Sequence, residues 1–275
     1  MAFDLSEKIT VDQSENYIMS IRLSSDGLSF SVYNPSVKDS FWYKKIVFEQ
    51  SESYISSLKD CFFEYDFLSW HYKKIYVICV SAPYTIVPQE FFQEKSKKEL
   101  LTFTTTVSEI HCLSNTLKKE RSELLFGVKD DVYEFCCRSL VNPIFVHHLT
   151  PVLPLLGKLS SNRLPKQLFV NLHHRSIDVV SYTQGTLSFI NTFEYKQIED
   201  IIYYILYVWK QMEMNQQRDQ LNLFGDTSLC HNLNKILRNY IQCIETLDVP
   251  TEAFLRGIGI VQTPLDIIAL SLCEL

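Results

Sequence analysis

The densest run of chemically capable side chains is His173-His174-Arg175, two imidazoles and a guanidinium between two strand-like segments, Leu168 to Leu172 and Ile177 to Tyr182. Such a run offers positive charge and ring nitrogens to an anion. The plainer reading is a hairpin loop of solvated polar residues. A second pair, His147-His148, raises metal ligation. Neighbouring residues of a strand point to opposite faces, so at most one imidazole of each pair could serve. Structural histidines are the plainer expectation, and no metal is expected. Ser24, Ser25 or Ser81 with a histidine and an acid would make a hydrolase triad, but no Gly-x-Ser-x-Gly elbow presents any of them. Of the eight cysteines, Cys136 and Cys137 are adjacent and no pair has CxxC spacing, so a zinc framework has little support. Cys61, Cys79, Cys112, Cys243 and Cys273 read as small buried hydrophobes carrying free thiols.

The elements that must position these residues follow from periodicity. Tyr17 to Leu23 and Leu28 to Tyr33 are strand-like runs around Ser24-Ser25-Asp26-Gly27, and Asp-Gly is a strong hairpin signal. Phe41 to Phe48 is a third strand. Ser53 to Phe67 reads as a helix with Ile55, Leu58, Phe62 and Tyr65 near one face and Ser53 as its cap. Ile75 to Val80 is nearly all apolar, as expected of a strand buried on both faces. The same order returns in the second half. Leu168 to Leu172, Ile177 to Tyr182 and Thr186 to Tyr195 are strands, and Gln184-Gly185 turns between the last two. A helix follows with Ile198, Ile201, Ile202, Ile205, Trp209 and Met212 at spacings of three and four. Leu221 to Phe224 is then a strand ending at Gly225, and Leu229 to Ile241 a second helix. Between the copies, Glu90 to Leu101 and Asp130 to Ser139 read as helices, and Leu124 to Val128 and Ile144 to His148 as strands. Pro151, Pro154, Gly157 and the polar Ser160-Ser161-Asn162 suggest a linker.

Composition excludes several classes. A hydrophobic share of 46% with 21% charged residues is ordinary globular usage. No stretch reaches the roughly 18 to 20 uncharged apolar residues of a membrane span. Met1 to Ser20 holds Asp4, Glu7, Lys8, Asp12 and Glu15 and lacks the apolar run of a signal peptide, so a cytoplasmic location is expected. A net charge of −6 weighs against nucleic acid as a partner. Lys95, Lys97, Lys98 and Lys118, Lys119, Arg121 alternate with Glu94, Glu99, Glu120 and Glu123 and read as solvated helix faces. Seven glycines in 275 residues is well under the usual share of about 7%, which leaves little for a phosphate cradle. Tyr203, Tyr204, Tyr207 and Trp209 crowd one helix. Core packing accounts for most such aromatics, and the rest would form a patch suited to a protein partner.

Two copies of strand-strand-strand-helix-strand resemble the duplicated unit of the actin-like ATPase superfamily. Leu168 to Phe189 resembles the second phosphate hairpin, and Leu221 to Ser228 the adenosine loop, of members from bacterial cell division and type IV pilus assembly. The whole chain is similar to a bacterial family, domain of unknown function 3822. The resemblance rests on Val87-Pro88, Leu125-Phe126-Gly127-Val128, His148-Leu149-Thr150-Pro151 and Asn191-Thr192-Phe193. It extends to Asp200 with Tyr203-Tyr204, to Leu223-Phe224-Gly225 and to Leu272-Cys273-Glu274.

That resemblance implies Asp-x-Gly at the end of each first strand, followed by Ser or Thr, to hold Mg²⁺ and phosphate. The matching positions depart from it. They read Arg22-Leu23-Ser24 in the first hairpin and Asn171-Leu172-His173 in the second. The adenosine loop, Leu-x-Gly-Gly-x-Ser in the family, keeps Gly225 and replaces the second glycine by Asp226, whose charge would repel a phosphate.

The resulting expectation is an α/β protein of two actin-like, ribonuclease H-like lobes, each a mixed β-sheet with helices. The first spans 1–160, with an irregular insertion at about 83–150, and the second spans 161–275. The expected function is a non-catalytic pseudo-ATPase acting as a protein-binding or regulatory module, without a cofactor and as a monomer or homodimer. The alternative is a nucleotide- or anion-binding sensor or enzyme using the cleft between lobes, lined by Arg22, Ser24, Asn171, His173, His174, Arg175, Gly225 and Asp226.

Overall fold

A computed structural model describes residues 10–49, 52–80, 83–105, 109–160, 166–257, 260 and 262–272. Ser81, Ser161, Asn162, Cys273 and Glu274 lie outside them. The chain divides into two compact units, Met1–Thr150 with Thr251–Leu275, and Pro151–Pro250. The first unit runs β1 (Ile18–Ser24), β2 (Gly27–Tyr33), β3 (Trp42–Val47), α1 (Tyr54–Glu64) and β4 (Lys74–Cys79). There follow β5 (Tyr84–Pro88), α2 (Lys97–Thr104), β6 (Ile110–Leu117), β7 (Ser122–Lys129), α3 (Asp130–Ser139) and β8 (Ile144–His147). Helix α4 (Leu149–Leu159) leads into the second unit, with β9 (Lys166–Leu172), β10 (Ser176–Thr183), β11 (Thr186–Glu194), α5 (Ile198–Gln211), β12 (Gln220–Gly225), α6 (Thr227–Leu237) and β13 (Cys243–Thr246). Helix α7 (Leu265–Leu272) returns to the first unit.

The duplication is visible in the sheets. One has the order β3-β2-β1-β4-β8 and the other β11-β10-β9-β12-β13. In each, three antiparallel strands are followed by two that join parallel to the first. The insertion into the first copy builds a separate antiparallel sheet, β5-β7-β6. The Asp26-Gly27 turn needs its glycine. Gly27 has φ +148, and a Cβ there would stand 2.1 Å from the Ile46 carbonyl oxygen of β3. Ser53 caps α1 by accepting the Ser56 amide, as its position before the apolar period implies.

Strands β1, β2, β9 and β10 are buried along nearly their whole length, so both faces of each sheet centre are covered. In the second unit, Leu168, Val170, Leu172, Ile177 and Val179 face Ile201, Ile205, Val208 and Trp209 of α5 and Leu233 and Leu237 of α6. On another part of this sheet Phe169 meets Tyr182 edge-on, and the Tyr182 hydroxyl donates to the Leu153 carbonyl of α4 at 2.9 Å.

Four sequence expectations change. Pro151, Pro154 and Gly157 belong to α4, not to a linker. Pro151 stands in the first turn, where its missing N–H is unneeded, and burial of Val152, Leu153 and Leu156 offsets the bond Pro154 removes. Residues 89–96 form two short 3-10 turns before α2, so the helix expected from Glu90 starts at Lys97. Lys118 to Arg121 form the turn of the β6–β7 hairpin, with Arg121 at φ 48, and not a helix face. Residues 251–272, assigned from sequence to the second lobe, pack in the first unit, where Ala253, Ile260, Ile267, Ile268 and Ala269 are buried.

Helix α5 gives a direct test of these facings. Ile205→Ala, at a fully buried site, should cost about 2–5 kcal/mol. Tyr203→Ala, at a site 61% exposed, should stay within about 0.5 kcal/mol of wild type in urea unfolding.

Candidate functional site

In the first unit, strand alternation sends Met19, Ile21 and Leu23 to one face and Ser20, Arg22 and Ser24 to the other. The partners of Arg22 and Ser20 in β2 are Ser29 and Ser31, and all five polar residues are buried. Arg22 is neutralised within the unit. Its Nε donates to both Asp266 oxygens, at 3.0 and 2.8 Å, and the side chains are 9% and 1% exposed. The Asp266 Oδ1 also accepts the Ile267 amide at 2.7 Å. Tyr43 borders the pair. Burial raises its phenol pKa, the Ser29 hydroxyl and the Arg22 charge oppose that, and Asp266 adds to it. Removing one member of such a pair strands a buried charge, at a cost of about 3–5 kcal/mol.

Ser24 also turns inward, donating to Asp26 Oδ1 at 2.7 Å, and Lys45 donates to Asp26 Oδ2 at 2.7 Å. His147 ends β8 and His148 follows it in the turn before α4. His147 lies against the rings of Tyr84 and Phe126, and its amide donates to Asn115 Oδ1 at 2.8 Å. The His148 Nδ1 is 3.3 Å from the Cys79 carbonyl, which can only accept, so Nδ1 carries the proton of that bond.

In the second unit Asn171 and His173 share one acceptor. Strand register places Asp178 of β10 directly across from Asn171 of β9. The fully buried Asp178 carboxylate accepts from Asn171 Nδ2 at 3.2 Å, His173 Nε2 at 2.6 Å and Thr192 Oγ1 at 2.7 Å. The carboxylate can only accept, so Nε2 is the protonated nitrogen of His173. Tyr195 closes the loop, its hydroxyl donating to the carbonyls of His173 and His174 at 2.6 and 3.0 Å. The His174 and Arg175 side chains are exposed. Gly225 has φ +103, and a Cβ there would stand 2.4 Å from the Leu172 carbonyl oxygen. Packing of β12 on β9 therefore suffices to require the glycine. Asp226 caps α6, its Oδ1 accepting the Leu229 amide at 2.9 Å. A carboxylate thus already sits at the positive end of that helix.

Among the described residues the cysteines are free thiols. Cys61, Cys79, Cys112, Cys136 and Cys230 are buried, Cys243 is half-buried and Cys137 exposed. Burial pushes the Cys136 thiol up to about 12, so it stays protonated and inert. Tyr203 and Tyr207 form an exposed stacked pair with ring centroids 5.9 Å apart, while Tyr204 stacks on Phe193 at 4.6 Å and Trp209 is core. No helix among the described residues is long and apolar enough to cross a membrane.

Residues 6–244 match the family described as "Protein of unknown function (DUF3822)". The chain belongs to the DUF3822 family. A crystal structure from Bacteroides thetaiotaomicron VPI-5482, described as a protein with actin-like ATPase fold and unknown function, is 32% identical. The match covers 97% of this chain and 99% of that one, with a TM-score of 0.83. A chain of the PilM-PilN type IV pilus biogenesis complex is 11% identical over 94% of this chain and 99% of its own, with a TM-score of 0.54, and is similar in fold alone. No curated protein matches. This DUF3822 chain therefore has an actin-like ATPase fold.

Sequence reasoning named the first-strand ends but not their partners Asp266 and Asp178. Asp178 lies across the hairpin from Asn171, seven positions away, whereas Asp266 lies 244 positions from Arg22 with no local signal.

Two measurements probe this geometry. Gly225→Ala should lower unfolding free energy by about 1–3 kcal/mol or more, because strain at positive φ adds to a backbone clash. Asp26 is partly buried, which raises its pKa, but the bonds from Lys45 and Ser24 outweigh burial and the net shift is downward. Its stabilising effect is therefore fully present above the unfolded value near 3.8 and lost as pH falls through the lower folded value. Lys45→Met should weaken that acid-side fall in a pH series of urea midpoints, by less than about 1 kcal/mol at a site this exposed.

Proposed function

We propose that this chain is a non-catalytic actin-like pseudo-ATPase that works as a protein-binding or regulatory module. One observation carries the reading: the polar groups standing where a nucleotide and its metal would be held are engaged by other groups of the chain itself. Arg22 takes Asp266, Asn171 and His173 take Asp178, and Asp226 takes the first turn of α6. A guanidinium in place of a metal-binding acid repels Mg²⁺, a carboxamide supplies no charge, and the Asp226 carboxylate repels a phosphate at the α6 N-terminus. The exposed Tyr203–Tyr207 pair suits a protein interface, where tyrosine is enriched. Actin-like chains do assemble with other proteins, as in the PilM-PilN complex.

A second reading, an anion- or nucleotide-binding sensor, draws on the exposed His174 and Arg175. The purified protein should release phosphate from ATP with Mg²⁺ no faster than buffer alone, and ATP should not raise its melting temperature. Turnover that vanishes in Asp178→Asn or Asp226→Asn would overturn the leading reading. A melting temperature raised by one nucleotide or phosphate-bearing metabolite would establish the second.

A further inference from the structure

The outer backbone groups of a strand that ends a sheet invite pairing with another chain unless something guards them. Among the described residues the three sheets end in β3 and β8, β11 and β13, and β5 and β6. Strands β8 and β13 are four residues each, and β5 is five residues closing on Pro88. β3 carries Lys44 and Lys45. β6 is tied to β8 through Asn115, which donates to the Phe145 carbonyl at 3.1 Å and accepts the His147 amide at 2.8 Å. Strand β11, the counterpart of β3 in the second copy, has none of these devices. It runs nine residues with no lysine, arginine or proline and no charge before Glu194. Register fixes which of its groups face outward. The Tyr195 amide bonds the Arg175 carbonyl at 3.0 Å. By alternation Phe193 and Asn191 bond to β10, while Ile190, Thr192 and Glu194 present N–H and C=O away from it. The Thr192 amide agrees: the exposed Asn191 side chain folds over to accept it at 2.9 Å. An aromatic run rises beside this edge. Phe193 stacks on Tyr204 of α5 at 4.6 Å, Tyr203 meets Tyr204 edge-on at 5.6 Å, and Tyr207 stacks on Tyr203 at 5.9 Å. The last two rings are exposed.

We infer that the edge of β11 and the Tyr203–Tyr207 ridge beside it form a homodimer interface, in which β11 of a second copy adds antiparallel about a two-fold axis at Asn191. The strand is its own complement in that register. The outward-facing Ile190 and Thr192 of one copy exchange backbone bonds with Thr192 and Ile190 of the other, as an antiparallel ladder requires. On the α5 face Phe189 stands opposite Phe193, an aromatic pair that favours strand association. Glu194 and its mate fall at opposite ends of the pairing, so like charges do not meet. A two-fold contact uses the same patch on both copies and closes at a dimer, which leaves neither β11 edge open to a third chain. The inference rests on the reading of this chain as a protein-binding module and names the partner. Association and ATP turnover are measured separately, so a monomer without turnover would end this inference and leave the pseudo-ATPase standing.

Sedimentation of the full-length chain over a dilution series tests the surface. Wild type should sediment as a dimer that dissociates on dilution. Ile190→Pro removes an outward N–H without touching the ladder to β10, a position where an edge strand tolerates proline. Asn191→Lys gives β11 the guard that β3 has. Each should weaken association about tenfold or more while keeping the folded circular-dichroism signal, and if Ile190→Pro does not fold, Asn191→Lys decides. Cross-linking tests the register, in a Cys137→Ser background that removes the exposed native thiol. Across the axis two Asn191→Cys thiols form a non-hydrogen-bonded pair with Cα atoms about 4.5 Å apart, within disulfide reach. Oxidised glutathione, as the electron acceptor, should join them into a covalent dimer. Glu194→Cys, roughly 20 Å from its mate at about 3.4 Å per residue, should stay uncross-linked. A wild type that is monomeric throughout, even one that captures an extended peptide at this edge, overturns the inference. So does a dimer indifferent to Asn191→Lys, or equal cross-linking at the two positions.

Discussion

A guanidinium on a strand covered on both faces is largely shut off from bulk water, and most of its charge must be met inside the protein. Even after relaxation, a buried ion costs several kcal/mol, against a total stability of roughly 5–15 kcal/mol for a domain. One unmatched charge at Arg22 would therefore consume a large part of the margin. Once Arg22 is present, an acid must reach it, the element bearing that acid must lie on the first sheet, and the segment before it must return from the second unit. Asp266, α7 and the segment from Thr251 meet these requirements in turn.

The second unit meets the same constraint without a distant partner. There the buried charge is the Asp178 carboxylate, and its donors come from the same hairpin and the neighbouring edge strand: Asn171, His173 and Thr192. Two structurally equivalent positions, Arg22 and Asn171, have thus been settled by different chemistry. One uses a full ion pair across 244 positions, the other a local network of hydrogen bonds. Each arrangement satisfies its members from within one unit.

Local periodicity carried the sequence reading wherever the element was long or its turn chemistry specific. The Asp26-Gly27 hairpin, the Ser53 cap of α1, α3 and the amphipathic α5 were legible because the signal lies within a few residues of what it determines. Helix α4 was misread because two prolines look like linker punctuation until burial of Leu153 and Leu156 is known. The basic run at Lys118 was misread because a hairpin turn and a solvated helix face share one composition. Strand β13 spans four residues and α7 eight, too short for periodicity to stand out. The engagement of Arg22 was beyond reach for a different reason: its type and position show a charge, but nothing near it in sequence shows the partner.

Each half of the chain ends in a helix that belongs with the other half: α4 passes into the second unit and α7 into the first. The second unit is one continuous stretch, Pro151–Pro250, while the first is split around it. On a ribosome this inverts the usual order of events. At roughly 5–20 residues per second, the 244 positions between Arg22 and Asp266 correspond to a wait of roughly ten to fifty seconds. The unit begun first is thus the one finished last. Throughout that interval the Arg22 guanidinium keeps its water and β1 cannot be buried without a cost of several kcal/mol, while the second unit can already close its core.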